Sequence, residues 1–195
     1  AGIIIIGDEI LSGRTKDTNV NWMANELNNI GIYLQEARII QDEKSVIINT
    51  VLEFSKKFTY VFTSGGIGPT HDDITTESIA EAFGYELEKN EIAMNLLRIH
   101  YEKSKIDFNN SRQKMAIIPK GALLIDNPVS VAPGFNIKNV YVFAGVPRIM
   151  QSMFHSISYK LKGGVIMKSK TITCNIGEGK IANDLGQIEK QFLNM

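Results

Sequence analysis

The sequence predicts an α/β protein in three layers, α/β/α, with a mostly parallel sheet in the middle. Three observations carry this. Short apolar runs alternate with amphipathic stretches in the order strand–helix–strand–helix–strand–helix, the pattern of parallel sheets covered by helices. The first run, Ile3-Ile4-Ile5-Ile6, is apolar without alternation, as in a strand buried on both faces. The chain has 195 residues, enough for one such domain burying about 70% of its unfolded surface.

Each element has its own signal. From Asp17, the positions Val20, Met23, Ala24, Leu27 and Ile30 repeat at helical spacing, with Asp17 suited to the N-cap and Gly31 to the C-cap. Tyr33 to Ile40 reads as a second strand. Residues 44–57 read as a helix with Ile47, Val51 and Phe54 on one face. Thr59 to Thr63 is a third strand, followed by a Gly-rich turn and a helix from Asp73 to Phe83. Residues 85–130 are less regular: Ile92, Leu96 and Ile99 mark one helix, 109–115 a shorter one, and Ile117–Pro119 and Ala122–Ile125 short extended pieces. Asn127-Pro128 is a turn. Gly134–Asn136 and Asn139–Phe143 read as paired strands. After Pro147 a helix carries Met150, Met153, Phe154 and Ile157 on one side, and Gly163-Gly164 breaks it. Residues 165–176 are expected as an extended strand and 178–193 as a last helix. This divides the chain into a domain over 1–162 and an extension over 163–195, in the manner of a second domain cut short.

Composition narrows the function classes. Lys plus Arg and Asp plus Glu each number 21, for a net charge of zero, so the chain lacks the basic excess of a nucleic-acid binder. No apolar run reaches the roughly 20 residues of a membrane span. The one cysteine, Cys174, has no partner for an internal disulfide and reads as a buried small apolar residue. A cytoplasmic protein is expected, with no membrane partner.

Open parallel sheets bind ligands at the carboxyl ends of their strands. The loops there are Gly7-Asp8-Glu9, Asp42-Glu43, Ser64-Gly65-Gly66-Ile67-Gly68-Pro69-Thr70-His71-Asp72-Asp73 and Ala144-Gly145-Val146-Pro147. Three glycines within four residues permit positive φ and close approach of a ligand to the backbone. The loop runs into a helix N-terminus, where amides favour an anion. Asp72, Asp73 and Glu77 are hard oxygen donors suited to Mg²⁺. Glycines for phosphate and carboxylates for a metal are the needs of phosphoanhydride chemistry. The bland readings stand beside this: glycines that only turn the chain, and Asp42 and Asp73 as helix caps worth about 1 kcal/mol each. The dinucleotide fingerprint, the P-loop and the hydrolase nucleophile elbow are all missing, and His71, His100 and His155 are too dispersed for a zinc site.

Several of these segments together resemble a known family. Gly7-Asp8-Glu9-Ile10-Leu11 with Asp17-Thr18-Asn19 resembles the opening of the molybdopterin-binding (MoaB/Mog-like) domain in its CinA-type branch. Residues 63–75 are similar to that branch's Gly-Gly-hydrophobic-Gly-Pro-Thr-x-Asp-Asp-hydrophobic-Thr signature. Asn127-Pro128, Ala132-Pro133-Gly134-Phe135 and Gly145-Val146-Pro147 resemble its later motifs. The match runs in order from about residue 2 to 161, and the domain that precedes the synthase domain of eukaryotic FAD synthases is similar too.

The resemblance implies the three-layer fold, a homo-oligomer (dimer or trimer), and molybdopterin or a nucleotide as the small-molecule ligand. It also implies a divalent metal, Mg²⁺ or Co²⁺, and hydrolysis of nucleotide pyrophosphates such as ADP-ribose or FAD. By position it implies Asp73, Asp42 and Glu9 for catalysis, with Asp42 and Asp73 on the metal. Gly7, Asp8, Ser64, Gly65, Gly66, Gly68, Pro69, Thr70, Gly145 and Pro147 would bind ligand. Ile67 stands where Mog-like enzymes usually carry Thr, which disfavours adenylyl transfer. No amidohydrolase domain follows within these residues, so deamidation is not expected of them. Two other classes remain: a non-catalytic pterin- or nucleotide-binding module in molybdenum cofactor metabolism, and an oligomerisation domain with a relic pocket.

Overall fold

The computed structural model describes residues 1–166, 168 and 170–192. The elements run β1 (Gly2–Ile6), α1 (Asp8–Leu11), α2 (Asn19–Asn29), β2 (Glu36–Ile40), α3 (Lys44–Lys57), β3 (Val61–Ser64) and α4 (Thr75–Phe83). Next come β4 (Leu87–Lys89), α5 (Glu91–Lys103), α6 (Asn110–Lys114) and β5 (Ile117–Pro119). The chain then forms β6 (Leu123–Ile125), β7 (Gly134–Ile137), β8 (Val140–Phe143), α7 (Pro147–Ile157) and α8 (Ala182–Gln191).

Six strands form one sheet in the order β2-β1-β3-β8-β7-β6. The first four are parallel; β7 and β6 add antiparallel. β4 and β5 form a separate antiparallel pair beside it. The mostly parallel α/β fold expected from the sequence is the one formed.

The pleat explains the three layers, because alternate side chains of a strand face opposite ways. Ile4 and Ile6 pack with Ile47, Val51 and Phe54 of α3 and Ile79 of α4 on one face. Ile3 and Ile5 pack with Met23 and Leu27 of α2 and with Met150, Met153 and Phe154 of α7 on the other. Each such side chain contributes roughly 1.5–3 kcal/mol on burial, so the uninterrupted Ile3–Ile6 run serves both cores at once. A third, smaller cluster joins α5 to the loop after α6 through Ala93, Leu97 and Ala116.

Some expected boundaries shift. β2 starts at Glu36 rather than Tyr33, because its ladder begins opposite Gly2 of β1, and Tyr33 stays exposed. β3 runs from Val61 to Ser64, and α4 begins at Thr75 rather than Asp73. Asp17 does satisfy helix amides, accepting from the N–H groups of Asn19 (3.1 Å) and Val20 (3.2 Å), while Thr18 holds the N-cap position.

The tail departs furthest. Among the described residues of 165–176 there is no strand, and none of them pairs with an edge of the sheet. Val165 and Ile172 are 87% and 83% exposed. Cys174 is exposed rather than buried. The expected helix over 178–193 becomes a 3-10 turn at Glu178–Lys180 followed by α8; its last expected residue, Leu193, lies outside the described residues. Gly163-Gly164 follows α7 in close contact with the end of α2. Gly164 N–H donates to Gly31 O at 2.8 Å, and a Cβ on Gly163 would sit 1.6 Å from Ile30 O, so only glycine lets this crossing close. Among the described residues no helix is long and apolar enough to cross a membrane.

Candidate functional site

The strand order places a switch point between β1 and β3. From β1 the chain moves outward to β2, then returns to β3 on the other side, and the loops part there. Register confirms the common edge: Ile6 pairs with Ile40, Ile5 with Ser64, and Ser64 with Phe143. The four loops singled out in the sequence therefore open on one side. Between them lies a cavity of about 570 Å³.

The Gly-rich loop forms one wall. Gly65 has φ 117° and a Cβ there would sit 2.1 Å from Ile6 O; Gly66 has φ 69° and a Cβ would sit 2.1 Å from Thr75 Oγ1. Both positions require glycine. The loop closes on itself through Thr75 N–H to Gly66 O (3.0 Å). Asp73 is not a helix cap. Its carboxylate accepts Thr70 N–H at 2.8 Å and the Thr70 hydroxyl, closing the turn. Thr75, the first residue of α4, is fully buried, so the helix start faces the loop and not open solvent. The backbone N–H groups of Gly66, Ile67 and Gly68 donate to nothing among the described residues. These three residues line the cavity, which makes the loop backbone, rather than the helix start, the available anion-binding surface.

The acidic side is built from two loops tied together. Asp42, after β2, accepts Asp8 N–H at 2.8 Å, so it bridges to the first loop instead of capping α3, whose N-cap is Glu43. Burial pushes the Asp42 carboxyl above its ordinary value. The Asp8 N–H opposes this, and the carboxylates of Asp8, Glu9 and Asp72 reinforce it. Glu9 folds back over Gly7, where a Cβ would sit 2.7 Å from its carboxylate. Asp72 moves the other way: the nearby Thr70 side chain, its own backbone N–H, and the charges of His71 and Lys114 hold its carboxyl below the usual range, although the Thr70 hydroxyl proton itself goes to Asp73.

Glu9, Asp42, Asp73, Gly65, Gly66, Gly68, Pro69, Gly145 and Pro147 all line the cavity, as expected of site residues. Gly7, Asp8, Ser64 and Thr70, also expected to bind ligand, are not among its lining residues. Ser64 is 1% exposed; its hydroxyl accepts from Asn19 Nδ2 at 2.9 Å and donates to Ala144 O at 3.3 Å. His71, in the Gly-rich loop, has its side chain 99% exposed.

Six further residues contribute to the site; Asn19, Asn127 and Ala132 fall in the quoted motifs without a site role, and Tyr101, Met115 and Ser130 were missed. Asn19 joins three loops at once, since its Nδ2 also donates to Gly145 O at 2.8 Å. Tyr101 and Met115, from α5 and the end of α6, close the far wall; only tertiary packing brings them there. Asn127, Ser130 and Ala132 complete that side. The Asn127 amide accepts Val129 and Ser130 N–H and donates to Ala132 O at 2.8 Å, which holds this turn. The Asn127-Pro128 motif was a usable signal for it.

Among the described residues no group of three or more His, Cys, Asp or Glu side chains stands where it would cage a metal ion. Asp42 and Asp73 each already accept a backbone N–H. Their remaining oxygens, in a field crowded with carboxylates, fit a hard divalent cation that is held by one or two carboxylates and completed by water and phosphate.

A family model described as "Probable molybdopterin binding domain" matches residues 2–162. The chain is 38% identical over 165 residues to a protein of Sulfurisphaera tokodaii, covering 82% of this chain and 63% of that relative. It spans 60–63% of the length of this and two further curated relatives. Among solved structures it is similar to the protein CinA of Thermoplasma acidophilum, of unknown function. The TM-score is 0.75 at 32% identity, over 82% of this chain and 95% of that one. The molybdopterin biosynthesis enzyme MoaB of a Thermus shares the fold at 15% identity and TM-score 0.56, covering 82% of this chain and 89% of the other.

Proposed function

The chain belongs to the family of probable molybdopterin binding domains, and from that premise we propose a metal-dependent hydrolase of nucleotide or pterin diphosphates, ADP-ribose and FAD being representative. The observation that carries it is that one cavity is lined both by Gly66, Ile67 and Gly68, whose N–H groups have no acceptor among the described residues, and by carboxylates from two other loops. Residues 1–162 form the binding domain in this proposal, and 163–195 are an extension of it.

The amides would hold diphosphate oxygens, and the apolar wall of Tyr101 and Met115 would take the planar ring system. Asp42 and Asp73 would hold Mg²⁺ or Co²⁺, which neutralises charge developing on the phosphoryl oxygens. Glu9, which lines the cavity, would accept the proton of the attacking water. That water's oxygen bonds to phosphorus as the bridging P–O bond breaks, so ADP-ribose would give AMP and ribose phosphate. Asp8 orients Asp42 through its backbone N–H. Gly145 and Pro147 shape the opposite rim.

The engagement of both Asp42 and Asp73 in loop-closing hydrogen bonds favours a second proposal, a module that binds a pterin or nucleotide without hydrolysis. One assay separates the two. The protein is incubated with ADP-ribose or FAD and Mg²⁺ or Co²⁺, and AMP is measured. The hydrolase predicts metal-dependent AMP that falls at least about a hundredfold in Asp73→Ala, on the scale of losing a charge-stabilising group. Saturable binding without AMP would establish the module instead.

A further inference from the structure

α6 ends at Lys114, whose ammonium crosses to the Gly-rich loop and donates to Asp73 O at 2.7 Å and Thr70 O at 3.2 Å. No other Lys or Arg side chain among the described residues bonds to residues 65–74. The lysine has a firm base. Asn109 caps α6 by accepting Arg112 N–H at 3.1 Å, and Gln113 Nε2 donates to Phe108 O at 3.0 Å. The Arg112 guanidinium lies 5.0 Å from the Tyr101 ring centre, binding α6 to α5. Met115, the next residue, lines the main cavity. Lys114 does not: it faces a separate hollow of about 150 Å³ behind the loop, beside Ile67, Gly68 and Asp73.

We infer that Lys114 is a positioning residue that latches the loop to the α5–α6 layer. The loop wall, with its free amides, and the Tyr101–Met115 wall are thereby held at a fixed separation. A lysine on the ligand side would act as a point charge for phosphate. Here the ammonium lies outside the main cavity and gives two of its three donors to carbonyls of the loop. Its effect on a ligand is therefore geometric, passing through the loop backbone. The consequence for ligands rests on the diphosphate proposal above, whereas the latch does not.

Hydrogen exchange on the whole chain tests the latch, comparing wild type with Lys114→Met, which keeps the stem, and Lys114→Arg, which restores donors. Amides of residues 66–74 in Lys114→Met should exchange about tenfold faster, with β1, β3 and β8 unchanged and Lys114→Arg close to wild type. Unchanged loop exchange, or acceleration spread evenly over the sheet, overturns the latch. A second readout is inorganic pyrophosphate titrated with Mg²⁺. Its affinity should fall about tenfold in Lys114→Met at low and high salt alike, because a positioning effect is not screened. A difference that vanishes at high salt would make Lys114 a charge and overturn the latch. Wild type that takes no pyrophosphate would refute the diphosphate proposal while the exchange result still decides the latch.

Discussion

Asn19 shows how much of this site depends on single polar side chains. It is 4% exposed, and both amide hydrogens are committed, to Ser64 Oγ and Gly145 O. Its Oδ1 has no donor among the described residues. One side chain therefore fixes the end of β3 and the loop after β8 against the start of α2. Asn19→Ala would leave Ser64 and the Gly145 carbonyl short of a partner, with an expected cost of about 2 kcal/mol. Thermal or urea unfolding would measure it, and a loss under about 0.5 kcal/mol would show that water replaces the amide without penalty. Val131 is a different kind of residue-scale signal. It is β-branched yet has φ 68°, a region that such side chains avoid. The Asn127 turn, with Val131 N–H on Asn127 O at 2.9 Å, holds it there, and its neighbours Ser130 and Ala132 face the cavity.

At the scale of elements, periodicity read the cores well and read the ends poorly. α2, α3 and α7 present the faces that their spacing implies, because burial of an apolar stripe overrides everything local. The start of α4 did not follow its sequence. Asp73 has the chemistry of an N-cap, but its carboxylate turns back to Thr70 and the helix begins two residues later. Side-chain-to-backbone bonds of this short range compete with capping on nearly equal terms, so composition alone does not settle the outcome. The strand expected over 165–176 shows the other limit. Apolar residues make a strand only where an edge accepts them, and that depends on the whole sheet. For the site, the glycines and acids were legible because each loop carries its own local chemistry. Tyr101, Met115 and Lys114 were not, since they reach the cavity and its loop from a layer some forty residues away in sequence.

At the scale of the whole molecule, zero net charge conceals an acidic edge. Asp8, Glu9, Asp42 and Asp72 share one field, and burial with these neighbours raises the Asp42 carboxyl. A carboxyl raised in the folded state holds its proton more tightly than in the unfolded chain. Its stabilising contribution is complete below the ordinary aspartate range and is lost as pH rises through the raised folded value. Asp42→Asn removes that titration. The melting temperature of Asp42→Asn minus that of wild type should therefore be larger at pH 7 than at pH 3. Glu36 and Glu53, held below their usual range chiefly by hydrogen bonds from Lys57 and Arg38 respectively, are present in both proteins and drop out of the difference. A flat or reversed difference would show that the edge is already neutralised from within the fold.

In the proposed function the Gly66, Ile67 and Gly68 amides receive a diphosphate. A crystal structure of the protein with Mg²⁺ and an ADP-ribose analogue, its bridging oxygen replaced by methylene so that it is not cleaved, tests this most directly. Phosphonate oxygens are expected within hydrogen-bond distance of the Gly66, Ile67 and Gly68 N–H groups, with the metal between them and Asp42 or Asp73. An analogue seated with its phosphonates away from that loop would contradict the proposal.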